Sequence, residues 1–227
     1  MSACACAVAE PAGATPDVIV RNYCAAEQTD ARSLAGSSMD VEIDASLPRL
    51  KKHGRLYALR RISSLGRITY ERLRFEGDGT VKSQVIARYL TAEAQAQQTQ
   101  NPALAVTPEN YKFKYKGANE LDGRTVYVFQ VTPRKKQVGL FKGEVWIDST
   151  TYLRLQESGR LVKSPSIFLK KVQFVRTYEI VDGISVPRQM QSVVDTRIVG
   201  KAELTIDFSN FALEHPNRDG LALGNGQ

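Results

Sequence analysis

Tyr111-Lys112-Phe113-Lys114-Tyr115-Lys116 alternates ring and ammonium three times without a break. A period of two is that of a β-strand, so the aromatic rings take one face and the lysines the other. Leu121-Asp122-Gly123-Arg124 follows, with the Asp-Gly pair that suits the corner of a tight hairpin, and Thr125 to Thr132 returns through Val-Tyr-Val-Phe-Gln-Val. The rhythm continues. Gly143 to Asp148 and Tyr152 to Val162 supply the next pair. After Ser164-Pro165-Ser166, a long strand from Phe168 to Ile180 turns at Asp182-Gly183 into Val186 to Ile198, which turns at Gly200-Lys201 into Ala202 to Phe211. Seven strands joined by such short turns are antiparallel, because a parallel crossover needs about a dozen residues or more.

Toward the N-terminus the period changes. Thr15-Pro16-Asp17 offers a cap, a first-turn proline and an acid for the positive end of a helix dipole. Ile19, Tyr23 and Ala26 then fall at i, i+4 and i+7, which predicts a short amphipathic helix over Val18 to Ala26. From about Ser37 the period is two again: Val41, Ile43 and Leu47, then Leu56 to Ile62 and Ile68 to Phe75, read as a three-stranded meander. Glu76-Gly77-Asp78-Gly79 breaks it, and Val81, Val85 and Tyr89 open a second helix over Val81 to Gln98. The fold class is therefore mainly β, with helices added. About ten antiparallel strands form one meander wide enough that it must curl.

Composition sets the limits. The chain has 227 residues, 42% hydrophobic and 24% charged, enough to bury a core in one β-rich domain, expected over residues 15–213. No apolar run reaches the roughly 18 residues of a membrane-spanning helix, in keeping with a mean hydropathy of -0.29. Residues 1–14 contain Ala7-Val8-Ala9, of signal-peptidase form, and are expected to be the remnant of an export signal or an unstructured leader. Residues 214–227 read as a flexible tail. Net charge is +7, but residues 111 to 176 hold 14 Lys and Arg against 5 Asp and Glu, so the rest of the chain sums to −2. Such a basic stretch faces an anionic lipid surface, a nucleic acid or an acidic protein, or is a solvated face.

Catalytic signatures are missing. There is no G-x-S-x-G, no P-loop and no H-E-x-x-H, and Gly77-x-Gly79 reads as a turn. His53 and His215 stand apart and no C-x-x-C occurs, so no metal site and no cofactor is expected. Cys4 and Cys6 fall in the leader, and Cys24 is expected to pack as a small side chain. Glu144, Glu157 and Glu179 are expected to face outward by alternation. What the meander does carry is apolar surplus: Phe113, Tyr115, Val128, Phe141, Trp146, Phe168, Phe174, Tyr178 and Met190 are the candidates for lining a concave, ligand-binding face, or for ordinary core. Lys135, Lys136, Lys163, Lys170 and Lys171 are expected at a strand-loop rim, in contact with head groups or a partner. Nucleic acid is not expected, because Lys112, Lys114 and Lys116 lie on the face opposite their rings and a stacking surface needs both together.

The order of a helix, three strands, a helix and a long meander resembles the periplasmic lipoprotein-carrier superfamily, the carrier and receptor that sort lipoproteins to the outer membrane in Gram-negative bacteria. The local likeness runs from Tyr111 to Phe211. It includes Tyr-Lys-Phe-Lys-Tyr-Lys-Gly (111–117), Glu120-Leu-Asp-Gly-Arg124, Val-Thr-Pro-Arg-Lys-Lys (131–136), Gly139-Leu-Phe-Lys-Gly143, Val145-Trp-Ile-Asp148 and Gly159-Arg-Leu-Val-Lys-Ser-Pro165. The resemblance implies an unclosed antiparallel β-barrel of ten to eleven strands, covered by two or more helices, around an apolar cavity that takes acyl chains. It also implies a periplasmic location, and a lipid or an acylated protein as partner, with transient contact to an anionic membrane surface. No functional residue of the family maps onto a particular residue here. Two other readings stand beside it: an adaptor that docks an acidic partner through its basic stretch, and an enzyme on a hydrophobic substrate, which would need titratable groups facing the cavity.

Overall fold

The computed structural model describes residues 14–98, 102–164, 169–197 and 200–213. The leader, the C-terminal tail with His215, and Phe168 lie outside the described residues. Ten strands form one antiparallel sheet: β1 (Ser37–Leu47), β2 (Lys52–Ile62), β3 (Ile68–Gly77), β4 (Tyr111–Leu121), β5 (Arg124–Pro133), β6 (Phe141–Asp148), β7 (Arg154–Leu161), β8 (Leu169–Val181), β9 (Ile184–Thr196) and β10 (Lys201–Leu213). Their order is β3-β2-β1-β10-β9-β8-β7-β6-β5-β4, so the meander from β4 to β10 closes back onto β1. Strands β3 and β4 are the two edges and do not pair with one another, which leaves the sheet unclosed.

The hairpin corners are where the sequence places them. Asp122 and Gly123 have φ of 49° and 76°, and Asp182 and Gly183 have 52° and 79°. Two successive positive φ angles make the type I′ corner that matches strand twist, and Asp-Gly enters it at low cost. Between β6 and β7, Gly143 and Gly159 sit directly opposite each other. A Cβ on Gly143 would lie 1.8 Å from the carbonyl oxygen of Ser158 and 2.6 Å from the Cα of Gly159. The two strands approach there more closely than side chains permit.

Helix α1 (Pro16–Ser33) is longer than the Val18 to Ala26 expected from its apolar stripe. Its N-cap, Thr15, is extended as expected but makes no side-chain cap bond, and Pro16 starts the helix. The second helical segment is α2 (Gly79–Val81), continued through a π turn (Lys82–Ile86) into α3 (Ala87–Gln98). Asp78 caps it by accepting the Thr80 amide at 2.7 Å.

Both helical segments pack on one face of the sheet, the inner face, and make two cores. Ile19, Val20 and Tyr23 of α1 lie on Tyr111, Phe129, Phe141 and Phe174. Val81 and Ile86 lie on Val41, Ile43, Leu56 and Ile206. Burying each such side chain contributes roughly 1.5–3 kcal/mol. Val126, Val128 and Leu155 form a third, smaller cluster on the outer face, under Trp146 and Ile180.

Candidate functional site on the helix-covered face

The inner face under α1 is a ring-packed surface. Phe113 meets Tyr23 and Phe129 at 6.5 and 6.0 Å between ring centroids, and Phe141 meets Phe174 edge-on at 5.1 Å. The hydroxyl of Tyr111 accepts the Phe141 amide at 3.2 Å, so the buried phenol has its partner. Cys24 packs beside this core half-buried, and burial pushes its thiol up to about 11, which keeps it a poor nucleophile.

Further along α1 the contact turns ionic. Arg154 reaches Glu27 of α1 at 3.2 Å and Glu157 at 3.1 Å, and its guanidinium lies 4.8 Å from the Tyr178 ring centre. Tyr178 donates to the other oxygen of Glu157 at 3.1 Å, and Arg176 approaches that oxygen at 3.7 Å. Asp30 accepts the Ser185 amide at 2.7 Å, tying the last part of α1 to the start of β9. Glu157 is almost completely buried, yet the two arginines and the tyrosine hydroxyl hold its carboxyl below the usual carboxylate range against the desolvation that pushes it up. Glu27 behaves oppositely. Burial raises its carboxyl to about 7, although Arg154 pulls it back, because Glu157 and Asp30 lie close by and compete. Its Oε1 has no hydrogen-bond partner among the described residues.

A bulge makes this cluster. Register breaks between Trp146 and Ile147, whose partners are Gln156 and Arg154, so Leu155 is the extra residue. Arg154 and Glu157, three apart, thereby share the inner face with Arg176, the partner of Glu157 on β8. Alternation back from Leu161, opposite Phe141, already puts Glu157 inward, opposite Val145, and the bulge brings Arg154 to the same face. The expectation that Glu157 faces outward is therefore corrected, and titratable groups do face inward. Glu179 is exposed as expected, and Glu144 is half-buried with its carboxylate accepting the Trp146 indole N–H at 3.2 Å.

The second helical segment repeats the device. Glu93 of α3 receives Arg60 of β2 at 3.2 Å and the hydroxyl of Tyr70 of β3. Each helical segment thus brings one glutamate to an arginine on the sheet, and Glu93 also takes a tyrosine hydroxyl.

Between the two cores a seam runs over β8, β9 and β10. Met190 is half-buried and packs against both cores, with its sulfur 3.9 Å from the Tyr89 hydroxyl of α3. Val194 and Phe208 beside it are also only half-buried, and the Arg176 side chain is 44% exposed. This seam is a stretch of inner face that is only partly covered.

One end of the sheet is basic. The β5–β6 connection carries Lys135 and Lys136, the β7–β8 connection Lys163, and the start of β8 Lys170 and Lys171. Lys51 sits on the β1–β2 connection at the same end, with φ 52°. All six are exposed.

Of the nine apolar residues named from the sequence, Phe113, Tyr115, Phe141, Phe174, Tyr178 and Met190 share the inner face. Val128 and Trp146 oppose each other on the outer face, so they do not join that surface. Phe168 lies outside the described residues. Sequence reasoning missed Glu27, Asp30, Arg154, Arg176 and the Arg60–Glu93 pair. One signal was available: the stripe of Ile19 and Tyr23, extended at helical spacing, runs through Glu27 and Asp30.

No family model and no curated protein sequence matches the chain. Among solved structures, the chain is similar to a DUF1329 family protein from Desulfovibrio piger, at 16% identity over 91% of this chain and 95% of that one, with a TM-score of 0.47. It is similar to an outer membrane lipoprotein-sorting protein domain from Vibrio parahaemolyticus, at 14% identity over 89% and 93%, with a TM-score of 0.43. A LolA superfamily protein from Nitrosomonas europaea follows at 11% identity over 90% and 96%, with a TM-score of 0.38.

Proposed function

We propose that this chain is a non-enzymatic binder of an acyl chain, presented by a free lipid or by an acylated protein, and that the chain lies in the seam over β8 to β10. The observation that carries the reading is that Met190, which packs against both cores, is only half-buried, as are Val194 and Phe208 on the same face. Apolar surface left accessible between helices is what an apolar ligand fills, at roughly 0.8 kcal/mol per buried methylene. Phe113, Tyr115, Phe141, Phe174 and Tyr178 extend the same face under α1, so a long chain has a path if α1 shifts.

The inward-facing titratable groups support binding over catalysis. Glu157 is engaged by two arginines and a tyrosine, Glu27 by Arg154, and Glu93 by Arg60 and Tyr70. Groups paired with one another in this way fix the helices to the sheet, although Glu27 keeps one oxygen without a partner among the described residues. Export to the periplasm is part of the reading, supported by the Ala7-Val8-Ala9 segment and by the sequence resemblance of residues 111 to 211.

Native mass spectrometry on gently purified protein, paired with uptake of a fluorescent fatty acid, tests the reading. A lipid-sized adduct, or saturable uptake that Met190→Glu abolishes, is the expected result. A ligand-free spectrum together with no uptake overturns it.

A further inference from the structure

We infer that the basic end of the sheet is a docking surface for anionic phospholipid. Four hairpin connections meet at this end, β1–β2, β9–β10, β7–β8 and β5–β6, on successive pairs of strands. Three of them present Lys51, Lys135, Lys136, Lys163, Lys170 and Lys171, all exposed and none with a carboxylate partner among the described residues. Other cations are paired: at the same end Lys52 meets Asp78 at 3.3 Å and Lys201 meets Glu203 at 3.8 Å, and the opposite end is also paired. There Arg124 pairs with Asp148 at 3.5 Å, Arg188 with Asp122 at 3.7 Å, and Arg154 with Glu27 at 3.2 Å. Six exposed lysines without a carboxylate partner among the described residues thus share one end of the strands.

Two features select a lipid surface over other polyanions. First, the exposed apolar side chains Leu50 and Val138, 43% and 39% exposed, stand on the same turns as Lys51 and Lys136. Ammonium groups interspersed with projecting aliphatic tips suit a headgroup layer with acyl chains beneath it. Second, the cations are lysines, and among the described residues the one lysine found over a ring is Lys82, on Phe75. Lysine is a point charge that suits diffuse attraction, whereas nucleic acid recognition combines cations with stacking rings, and the rings of β4 face away from its lysines.

The test is sedimentation of the full chain with vesicles of phosphatidylglycerol and phosphatidylcholine or of phosphatidylcholine alone. Expected is binding about ten-fold or more stronger to the anionic vesicles, released by raising salt to about 0.5 M. Combining Lys135→Ala, Lys136→Ala, Lys170→Ala and Lys171→Ala reduces that binding about ten-fold or more, while the same four positions changed to Arg retain it. Leu50→Ser with Val138→Ser weakens binding about three-fold or more at unchanged charge. Because every substituted side chain is exposed, an unchanged near-ultraviolet circular dichroism spectrum confirms that the variants are folded. Equal binding to both vesicle types overturns the inference, as does binding to heparin or an acidic protein with no binding to vesicles, or a folded Ala variant that binds as before. The assay requires no acyl chain in the seam, so its outcome and that of the acyl-chain test are separable.

Discussion

Glu157 is the side chain on which the inner face turns. It is 2% exposed, and its two oxygens take Arg154, Arg176 and the Tyr178 hydroxyl. Removing one partner of a buried ion pair leaves the other charge unpaired, which costs about 3–5 kcal/mol. Glu157→Ala is expected to lower the unfolding free energy by that amount in a urea titration. A loss of less than about 1 kcal/mol, as for an exposed pair, would show that the cluster is solvated. Glu27 supplies the pH dependence. Its folded pKa, about 7, lies above the ordinary 4.5, so its contribution is fully present below 4.5 and lost as pH rises through 7. Between pH 5 and 8 the wild-type Tm is therefore expected to fall relative to that of Glu27→Gln, by the equivalent of up to about 3 kcal/mol. Two parallel Tm curves would contradict the assignment. Glu157 has the opposite sign and loses its contribution only in acid, outside this window.

At the scale of elements, the paired glycines of β6 and β7 permit the close approach of the two strands. Gly143→Ala places a methyl carbon against the Ser158 carbonyl and is expected to cost about 3 kcal/mol or more. Gly79→Ala, at the start of α2 with open space around it, is the control, expected to be neutral or to stabilise by up to about 1 kcal/mol. Denaturation midpoints that move equally for the two variants would remove the argument from close approach. Strands and hairpins were legible because alternation and Asp-Gly pairs are local signals, and both type I′ corners form at them. Bulges were not legible. One extra residue at Leu155 puts Arg154 on the face of Glu157 although the two are three apart, and nothing in Arg154-Leu-Gln-Glu157 marks it. Val128 and Trp146 failed for a related reason. Both faces of β5 are buried, so hydrophobicity there does not report direction. The extent of α1 was hidden because Glu27 and Asp30 look like solvent-facing residues until Arg154 and the Ser185 amide are placed opposite them.

For the whole molecule, the unclosed sheet has three distinct regions: an outer face, an inner face covered by two ion-paired helical segments, and a basic end. The closure of β10 onto β1 joins residues some 170 positions apart, as in the Asn210 to Asp40 hydrogen bond at 2.7 Å, and no local pattern announces it. That closure creates the seam, because it sets the strands under α3 beside those under α1. The central claim is that an apolar chain lies there, on the inner face. Photo-crosslinking with a diazirine-bearing fatty acid, followed by peptide mapping, tests it most directly. The account predicts labelling of β9 around Met190 and of β10 around Phe208, displaced by excess unlabelled fatty acid. Labelling of the outer face at Trp146 and Val128, or no labelling above that of an unrelated protein, would contradict it.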